Sequence, residues 1–448
     1  MEMPIDFARG ISDAREMLDH RCSTARFKER RQKLEQLLEF DPIRGAERLD
    51  RLLAIARDRV PYYRALQGRE SLRLSDFPLT RKADLRDHFA DLISRKANGE
   101  MEPGRHFINQ TSGSTGQPVR TLTTVETGGM ANAVIHERIN RYLELPERGT
   151  TLSVGLMFEG TRLFEAMPLP RPYVRCNLGG FDPASARIVA EYEATVGRFP
   201  VDKITGTSSR IIALAQYCGE RAIRLRPRGI IATYEHMPES GRRLVEETFD
   251  CPVTMLYMTS ETGYSAWECR RGNMHFQDDL VMPEVMPTGA EGKEVVLTAL
   301  LSPAMPVIRY VTGDMAADTV SCDCGLPGTA ISRLTGRART SLIGVDGAVY
   351  SPYSLLAALA AAGIPDFQII QDEPGILDLV IPFRSDETDA VTRDINSRLS
   401  ASFGRRQGFL LRLRPSGHFV LTAMGKRNPV IQRLPVPLGP ERTRYLAS

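Results

Sequence analysis

Four cysteine and histidine positions, Cys269, His275, Cys322 and Cys324, have the residue types that bind a soft or borderline metal. Their pattern is C-x5-H followed by C-x-C, with Gly325 directly after the last cysteine. It is not a standard finger spacing, so on spacing alone the set is either a zinc site or free cysteines beside a packed histidine. A second candidate is "TSGSTGQPVR" (111–120). Gly113 and Gly116 permit backbone conformations closed to other residues, and Thr111, Ser112, Ser114 and Thr115 add hydroxyl donors. Successive N–H groups in such a turn favour an anion, yet the loop carries no lysine and matches no G-x-x-x-x-G-K-[ST] motif. Read alone, it is either a phosphate cradle or a polar surface turn.

The elements around these residues suggest an α/β protein. The first hundred residues read as mostly helical, with Leu49, Leu52, Leu53 and Ala56 on one stripe of "GAERLDRLLAIARDRV" (45–60). From about 150, "TLSVGL" (151–156), "DKITGT" (202–207), "GIIATY" (229–234) and "PVTMLYM" (252–258) read as strands. Helical patterns at 208–222 and 237–250 alternate with them, which implies a largely parallel sheet covered by helices. "KEVVLTAL" (293–300) and "PVIRYVTGD" (306–314) have no helix between them and read as a more antiparallel β section. After about 336 the order becomes β-β-α-β-β-α-β, beginning with a hairpin around Asp346-Gly347 and a helix at 352–363. The expected division is therefore 1–335 as a large domain with a helical lead-in over 1–100, and 336–448 as a small α+β domain.

Composition narrows the classes. The chain has 448 residues with a net charge of +3 from 58 basic and 55 acidic side chains, which gives no reason to expect nucleic acid as a partner. An acidic N-terminus argues against a signal peptide, and no apolar run reaches the ~18 residues of a membrane span. Seven cysteines without a secretion signal argue against a disulfide framework, so a cytoplasmic location with reduced thiols is expected. A homodimer is left open.

Further segments make the glycine-rich loop recognisable. "VPYYRAL" (60–66), "LSDFPLTRKADLRDHF" (74–89), "TSGSTGQP", "YMTSETGYSAWEC" (257–269), "IRYVTGD" (308–314), "LTGRARTSL" (334–342) and "TAMGKRNPVI" (422–431) occur in this order over nearly the whole chain. The ordered set resembles the adenylate-forming ligase superfamily, and more closely its phenylacetate–coenzyme A ligase and CapK-like branch. The resemblance implies that a carboxylic acid reacts with ATP to give an acyl-adenylate and pyrophosphate, and that the acyl group passes to coenzyme A. It gives Thr111, Ser112, Gly113, Ser114, Thr115 and Gly116 to the ATP phosphates, Glu261 to Mg2+, Ser260 to phosphate and Tyr257 to the surroundings of the adenine. A carboxylate oxygen suits a hard cation.

Asp314 would accept from the ribose hydroxyls, Arg337 matches the hinge segment, and Lys426 would reach the carboxylate and the α-phosphate. The acid pocket implied by the same likeness includes Phe158, Tyr234, Glu235, His236, Thr262 and Tyr264, which suits an aryl or arylacetic acid. His136, in a helical stretch, reads as a packed side chain. Some members of the branch carry a structural Zn2+ on residues placed like Cys269, His275, Cys322 and Cys324. Two departures stand out. Met258 occupies a position where many relatives have glycine, and Arg339 stands in place of the hinge aspartate, in "GRART" (336–340). The second leaves room for an amine or carrier-protein acceptor, and a non-catalytic nucleotide-binding homologue is a further alternative.

Overall fold

The structure, a computed structural model, describes residues 7–96, 100–101, 105–110, 119–155, 162–178, 195–288, 292–337, 342–345, 347, 349–350, 355, 359, 367–381, 409–415, 419–420, 428–434 and 443–444. The Thr111–Gly116 loop, Phe158, the hinge residues after Arg337, the expected helices at 352–363 and 386–403, and Lys426 lie outside the described residues, apart from Leu355 and Leu359, which are helical.

Three helices open the chain: α1 (Phe7–Ser23), α2 (Ala25–Leu38) and α3 (Pro42–Arg59). Asp41 caps α3 by accepting from the N–H groups of Ile43 and Arg44, ahead of a proline whose fixed φ suits a first helical turn. The stripe Leu52, Leu53 and Ala56 is buried, with Leu49 packed beside it. A short helix, α4 (Lys82–Asp87), precedes the hairpin of β1 (His106–Gln110) and β2 (Arg120–Thr124), and α5 (Gly128–Tyr142) follows it.

The strands of the main sheet are β3 (Gly149–Val154), β4 (Phe164–Met167), β5 (Tyr173–Leu178), β6 (Lys203–Thr207), β7 (Gly229–Thr233), β8 (Val253–Thr259), β9 (Gly263–Glu268) and β10 (Met274–Phe276). The second, antiparallel sheet is built from β11 (Val281–Thr288), β12 (Gly292–Ala299) and β13 (Tyr310–Ala316). Two short strands, β14 (Thr319–Val320) and β15 (Ala330–Ile331), return to the main sheet, while β16 (Leu334–Arg337) joins the second. The main sheet has ten strands in the order β14-β15-β10-β9-β8-β7-β6-β3-β5-β4. Its centre, β5-β3-β6-β7-β8, is parallel. Strand β7 is buried along its whole length, as a parallel strand covered on both faces must be.

Helices α6 (Ser208–Glu220) and α7 (Glu239–Phe249), with α1, cover one face around Ile204, Ile230, Ala232 and Val253. Helix α5 covers the other around Ile135, Ile139, Ile231 and Leu256. Helix α7 starts at Glu239 because Pro238 is its N-cap, and it ends on Asp250 in a left-handed conformation.

Strand β13 begins at Tyr310 rather than at Pro306. Arg309 takes a positive φ of 49°, and its groups are spent locally. Its N–H bonds Thr298 Oγ1 at 2.9 Å, and its guanidinium bonds Glu284 at 3.0 and 3.1 Å and the Phe77 carbonyl at 3.0 Å. Thr80 then extends the strand edge, its N–H bonding the Arg309 carbonyl and its carbonyl accepting from Val311. The "DFPLTR" segment is thereby fixed against β13.

The C-terminal strands β17 (Leu342–Ile343) and β18 (Val349–Tyr350) form the expected hairpin, with Gly347 at a φ of 74°. Strands β19 (Gln368–Glu373), β20 (Ile376–Ile381), β21 (Leu410–Pro415) and β22 (Val430–Gln432) form a sheet ordered β21-β20-β19-β22 around a separate core of Leu355, Leu359, Ile369, Leu377 and Leu379. Strands β20 and β21 are parallel, so the chain between them must cross over.

Candidate active site and metal cluster

Strand β8 delivers the Tyr257–Glu261 segment to the carboxyl end of the parallel strands, the usual place for ligands in an open α/β sheet. A hydroxyl ladder holds the turn that follows. Thr259 Oγ1 lies 2.9 Å from Thr262 Oγ1 and accepts from the Thr262 N–H at 3.0 Å, while Thr262 Oγ1 is 3.3 Å from Ser265 Oγ. Gly263 has a φ of 80°, and a Cβ there would lie 2.8 Å from Asn132 Oδ1. Glycine is therefore required for the turn to rest on α5, where Asn132 Oδ1 also accepts from the Tyr264 N–H at 3.1 Å.

Two tyrosine–carboxylate bonds join β8 to β13. Tyr310 Oη donates to Glu261 Oε1 at 2.6 Å, and Tyr257 Oη donates to Asp314 Oδ2 at 2.8 Å. Each strand supplies one tyrosine and, four residues later, one carboxylate, so the pairs are reciprocal. Glu261 is 8% exposed, and burial together with its charge pushes the Tyr310 hydroxyl well above the usual tyrosine range. Tyr310 is thus a permanent donor, and it had no signal in the sequence. Glu261 Oε2 has no protein donor among the described residues. Asp314 is further placed by Gly313, at a φ of 79°, and by its N–H bond to Thr312 Oγ1 at 3.0 Å.

The glycine-rich stretch connects to this centre through its flanks. Gln110 and Arg120 are cross-strand partners, and Thr121 Oγ1 donates to the Ser260 carbonyl at 3.4 Å. The hairpin end therefore stands against the Ser260–Glu261 turn. Arg337 pairs with Asp314 across β16 and β13, which brings the end of β16 to the same place.

Among the proposed pocket residues, Tyr234 and Tyr264 lie together, while Thr262 belongs to the hydroxyl ladder of the turn. Tyr234, directly after β7, takes a positive φ of 69°, a costly conformation for a bulky residue, and its side chain lies beside that of Tyr264. The His136 ring stands edge-on to Tyr264 at 4.6 Å between centroids. Burial, then the nearby Lys203 and Arg175 charges, push His136 down to about 3, so it is neutral. Glu235 is engaged elsewhere: its carboxylate accepts from Ser209 N at 3.1 Å and Ser209 Oγ at 2.6 Å at the start of α6. His236 is exposed.

The four sulfur and nitrogen residues do converge. Their ligand atoms all lie within 4.8 Å of one another. Cys269 Sγ and Cys322 Sγ are 3.8 Å apart, and Cys324 Sγ is 3.3 Å from His275 Nε2. A tetrahedral zinc with bonds of about 2.3 Å to sulfur and about 2.0 Å to nitrogen would have S···S and S···N edges of about 3.8 and 3.5 Å. The other ring nitrogen, His275 Nδ1, is 3.3 Å from the Pro327 carbonyl, the kind of contact that orients a ligating imidazole. N–H groups of Arg271, Leu326 and Asn273 point at Cys269, Cys324 and Cys322 at 3.4, 3.4 and 3.2 Å, and the Asn273 contact holds the Cys322 thiol down to about 6. The pairing of β10 with β15 brings the two halves together, and it requires Gly328, where a Cβ would lie 2.0 Å from the Phe276 carbonyl oxygen.

No family model matches the chain. Among curated proteins it is similar to a phenylacetate–coenzyme A ligase of Thermus thermophilus, at 29% identity over 74% of this chain and 78% of the relative. It is also similar to the protein CapK of Staphylococcus aureus, at 21% identity over 75% of each. Among solved structures it is similar to a 2-hydroxyisobutyryl-CoA ligase in the postadenylation state in complex with R3-HIB-AMP, with a TM-score of 0.62, 16% identity and coverage of 87% of this chain and 88% of that one.

Proposed function

We propose that this chain, an adenylate-forming enzyme of the phenylacetate–coenzyme A ligase-like branch, activates an aryl or arylacetic acid with ATP and passes the acyl group to coenzyme A. The observation that supports it best is the pair of tyrosine-held carboxylates, Glu261 and Asp314, beside the hairpin that carries the glycine-rich loop. Glu261 Oε2 would hold Mg2+, which when bound with ATP neutralises phosphate charge. Asp314, fixed by Tyr257, would accept from the ribose hydroxyls. The N–H groups and hydroxyls of Thr111–Gly116 would hold the phosphates, and Lys426 would offset charge at the α-phosphate as the acid oxygen attacks and pyrophosphate leaves. The section 336–448 would act as the mobile small domain. Tyr234, Tyr264 and His136 give the pocket an aromatic wall.

Carboxylate-dependent ATP–pyrophosphate exchange tests the first half-reaction. Identifying by mass the product formed with coenzyme A, hydroxylamine or amines tests the second. Arg339 at the hinge position and the likeness to CapK favour one other acceptor class, an amine or carrier protein. A product formed with an amine and not with coenzyme A would decide for it.

Two smaller outcomes follow. A hydrogen bond to a charged acceptor is worth about 1.5–3 kcal/mol, so Tyr257→Phe should raise KM for ATP about tenfold with little change in KM for the acid. An unchanged KM for ATP would remove Asp314 from ribose binding. The cysteine–histidine cluster would hold one structural zinc, closed by four ligands. Protein purified without added metal should contain about one zinc per chain, and Cys324→Ser should lose it and lower Tm by roughly 5–10 °C. A metal-free wild type would reject the site.

A further inference from the structure

Helix α5 turns a row of polar side chains toward the sheet at one-turn intervals: Asn132, His136 and Asn140. The two asparagines are committed. Asn132 Oδ1 accepts from the Tyr264 N–H at 3.1 Å. Asn140 Oδ1 accepts from Lys203 Nζ at 3.2 Å, and its Nδ2 donates to Glu137 Oε2 at 3.3 Å. The cations nearby are committed too, Arg175 to Glu165 at 2.5 and 3.1 Å, and Lys203 to Asn140 with the Glu137 charge beyond it. His136, in the middle of the row, has no hydrogen-bond partner among the described residues.

Its free nitrogens are not sealed in. Trp267 Nε1 is an unbonded atom shut off from solvent, whereas the His136 nitrogens are unbonded and keep accessible surface, and the residue as a whole is half-buried. That opening lies beside Tyr264, whose ring is 4.6 Å from the imidazole between centroids, and Tyr264 in turn adjoins Tyr234, which is 45% exposed. Along α5, His136 is one turn, about 6 Å, from Asn132, which holds the turn directly after Glu261. An aryl group spans a comparable length. Burial, then the Lys203 and Arg175 charges, keep the imidazole neutral, so one ring nitrogen donates and the other accepts. A hydroxyl group also both donates and accepts, and is the matching partner.

Resting on the acid-activation reading, we propose that His136 is a specificity-determining residue that takes the hydroxyl of a ring-hydroxylated aryl or arylacetic acid. The substrate ring would lie against Tyr264 and Tyr234, with the reacting carboxylate toward Glu261. A hydroxyl there replaces the hydrogen bonds that water gives the imidazole. An unsubstituted ring displaces that water and leaves the nitrogens unpaired, which is the basis of the discrimination.

The test is calorimetric binding of 3- and 4-hydroxyphenylacetic acid against phenylacetic acid, and of 3- and 4-hydroxybenzoic acid against benzoic acid. Wild type should prefer the hydroxylated acid by about tenfold in at least one couple. His136→Phe keeps a ring against Tyr264 and should bring that ratio to about one, weakening the hydroxy acid far more than its parent. His136→Gln, which still donates and accepts, should retain part of the preference. Thermal unfolding monitors each variant, with His136→Leu replacing the phenylalanine variant if that one does not fold. No preference in wild type, or a preference that survives loss of the imidazole, overturns the proposal. Exchange activity is read separately. Hydroxyl preference without exchange keeps this site and removes the acid-activation reading, whereas exchange without the preference does the reverse.

Discussion

Replacing Glu261 with glutamine is expected to lower carboxylate-dependent ATP–pyrophosphate exchange by about 10²–10³-fold, in the range seen when a preorganised electrostatic group is removed from an active site. Glutamine has the same shape, and its carbonyl oxygen can still accept the Tyr310 hydroxyl that lies 2.6 Å from Glu261 Oε1. What it lacks is the anionic second oxygen, the one group in this turn suited to a hard divalent cation. The loss should appear mainly in kcat at saturating ATP and be partly relieved by raising Mg2+. Tyr310→Phe separates charge from position: it keeps the carboxylate, removes its only described protein donor, and should cost about tenfold. Exchange by Glu261→Gln within threefold of wild type, with Tm unchanged, would take the metal away from this residue.

How far these groups could be read from the sequence depends on whether their contacts are local. Strands β6, β7 and β8 and helices α6 and α7 follow from period and turn residues, and their bounds fall within two or three residues of the expected ones. Tyr310 could not be found that way. Inside "IRYVTGD" it is one aromatic in a strand, and its bond to Glu261 depends on how the second sheet meets the end of β8. The likeness to a family put Tyr257 near the adenine, while the structure shows its hydroxyl on Asp314, 57 residues away in sequence. The metal cluster failed as a spacing argument for the same reason. Cys269 and Cys322 come together only through the register of β10 and β15, and register is non-local. Lys203 is a further case. Nothing in the sequence marks it, and only the fold shows its ammonium buried 3.2 Å from Asn140 Oδ1 of α5.

Lys426→Ala should have the largest effect on the first half-reaction and little on the second. Attack of a carboxylate oxygen on the α-phosphate gathers negative charge, and Thr111–Gly116 contains no cationic side chain to meet it. A mobile ammonium supplied from the C-terminal section would meet that charge as it develops, and its removal should cost about 10²–10³-fold in exchange. If the section 336–448 turns after adenylation, the lysine leaves the site before the acceptor enters. Lys426→Ala supplied with chemically prepared acyl-adenylate should then form thioester from coenzyme A within a few-fold of the wild-type rate. The hinge enters at this point, because Arg339 stands where an aspartate is expected. Arg339→Asp should leave exchange intact and change only the second step: a faster thioester step means that the native arginine disfavours the turned state, and an unchanged one means that rotation does not depend on it. Equal loss of both half-reactions in Lys426→Ala would contradict a lysine that serves one step, and with it the alternation of the small domain.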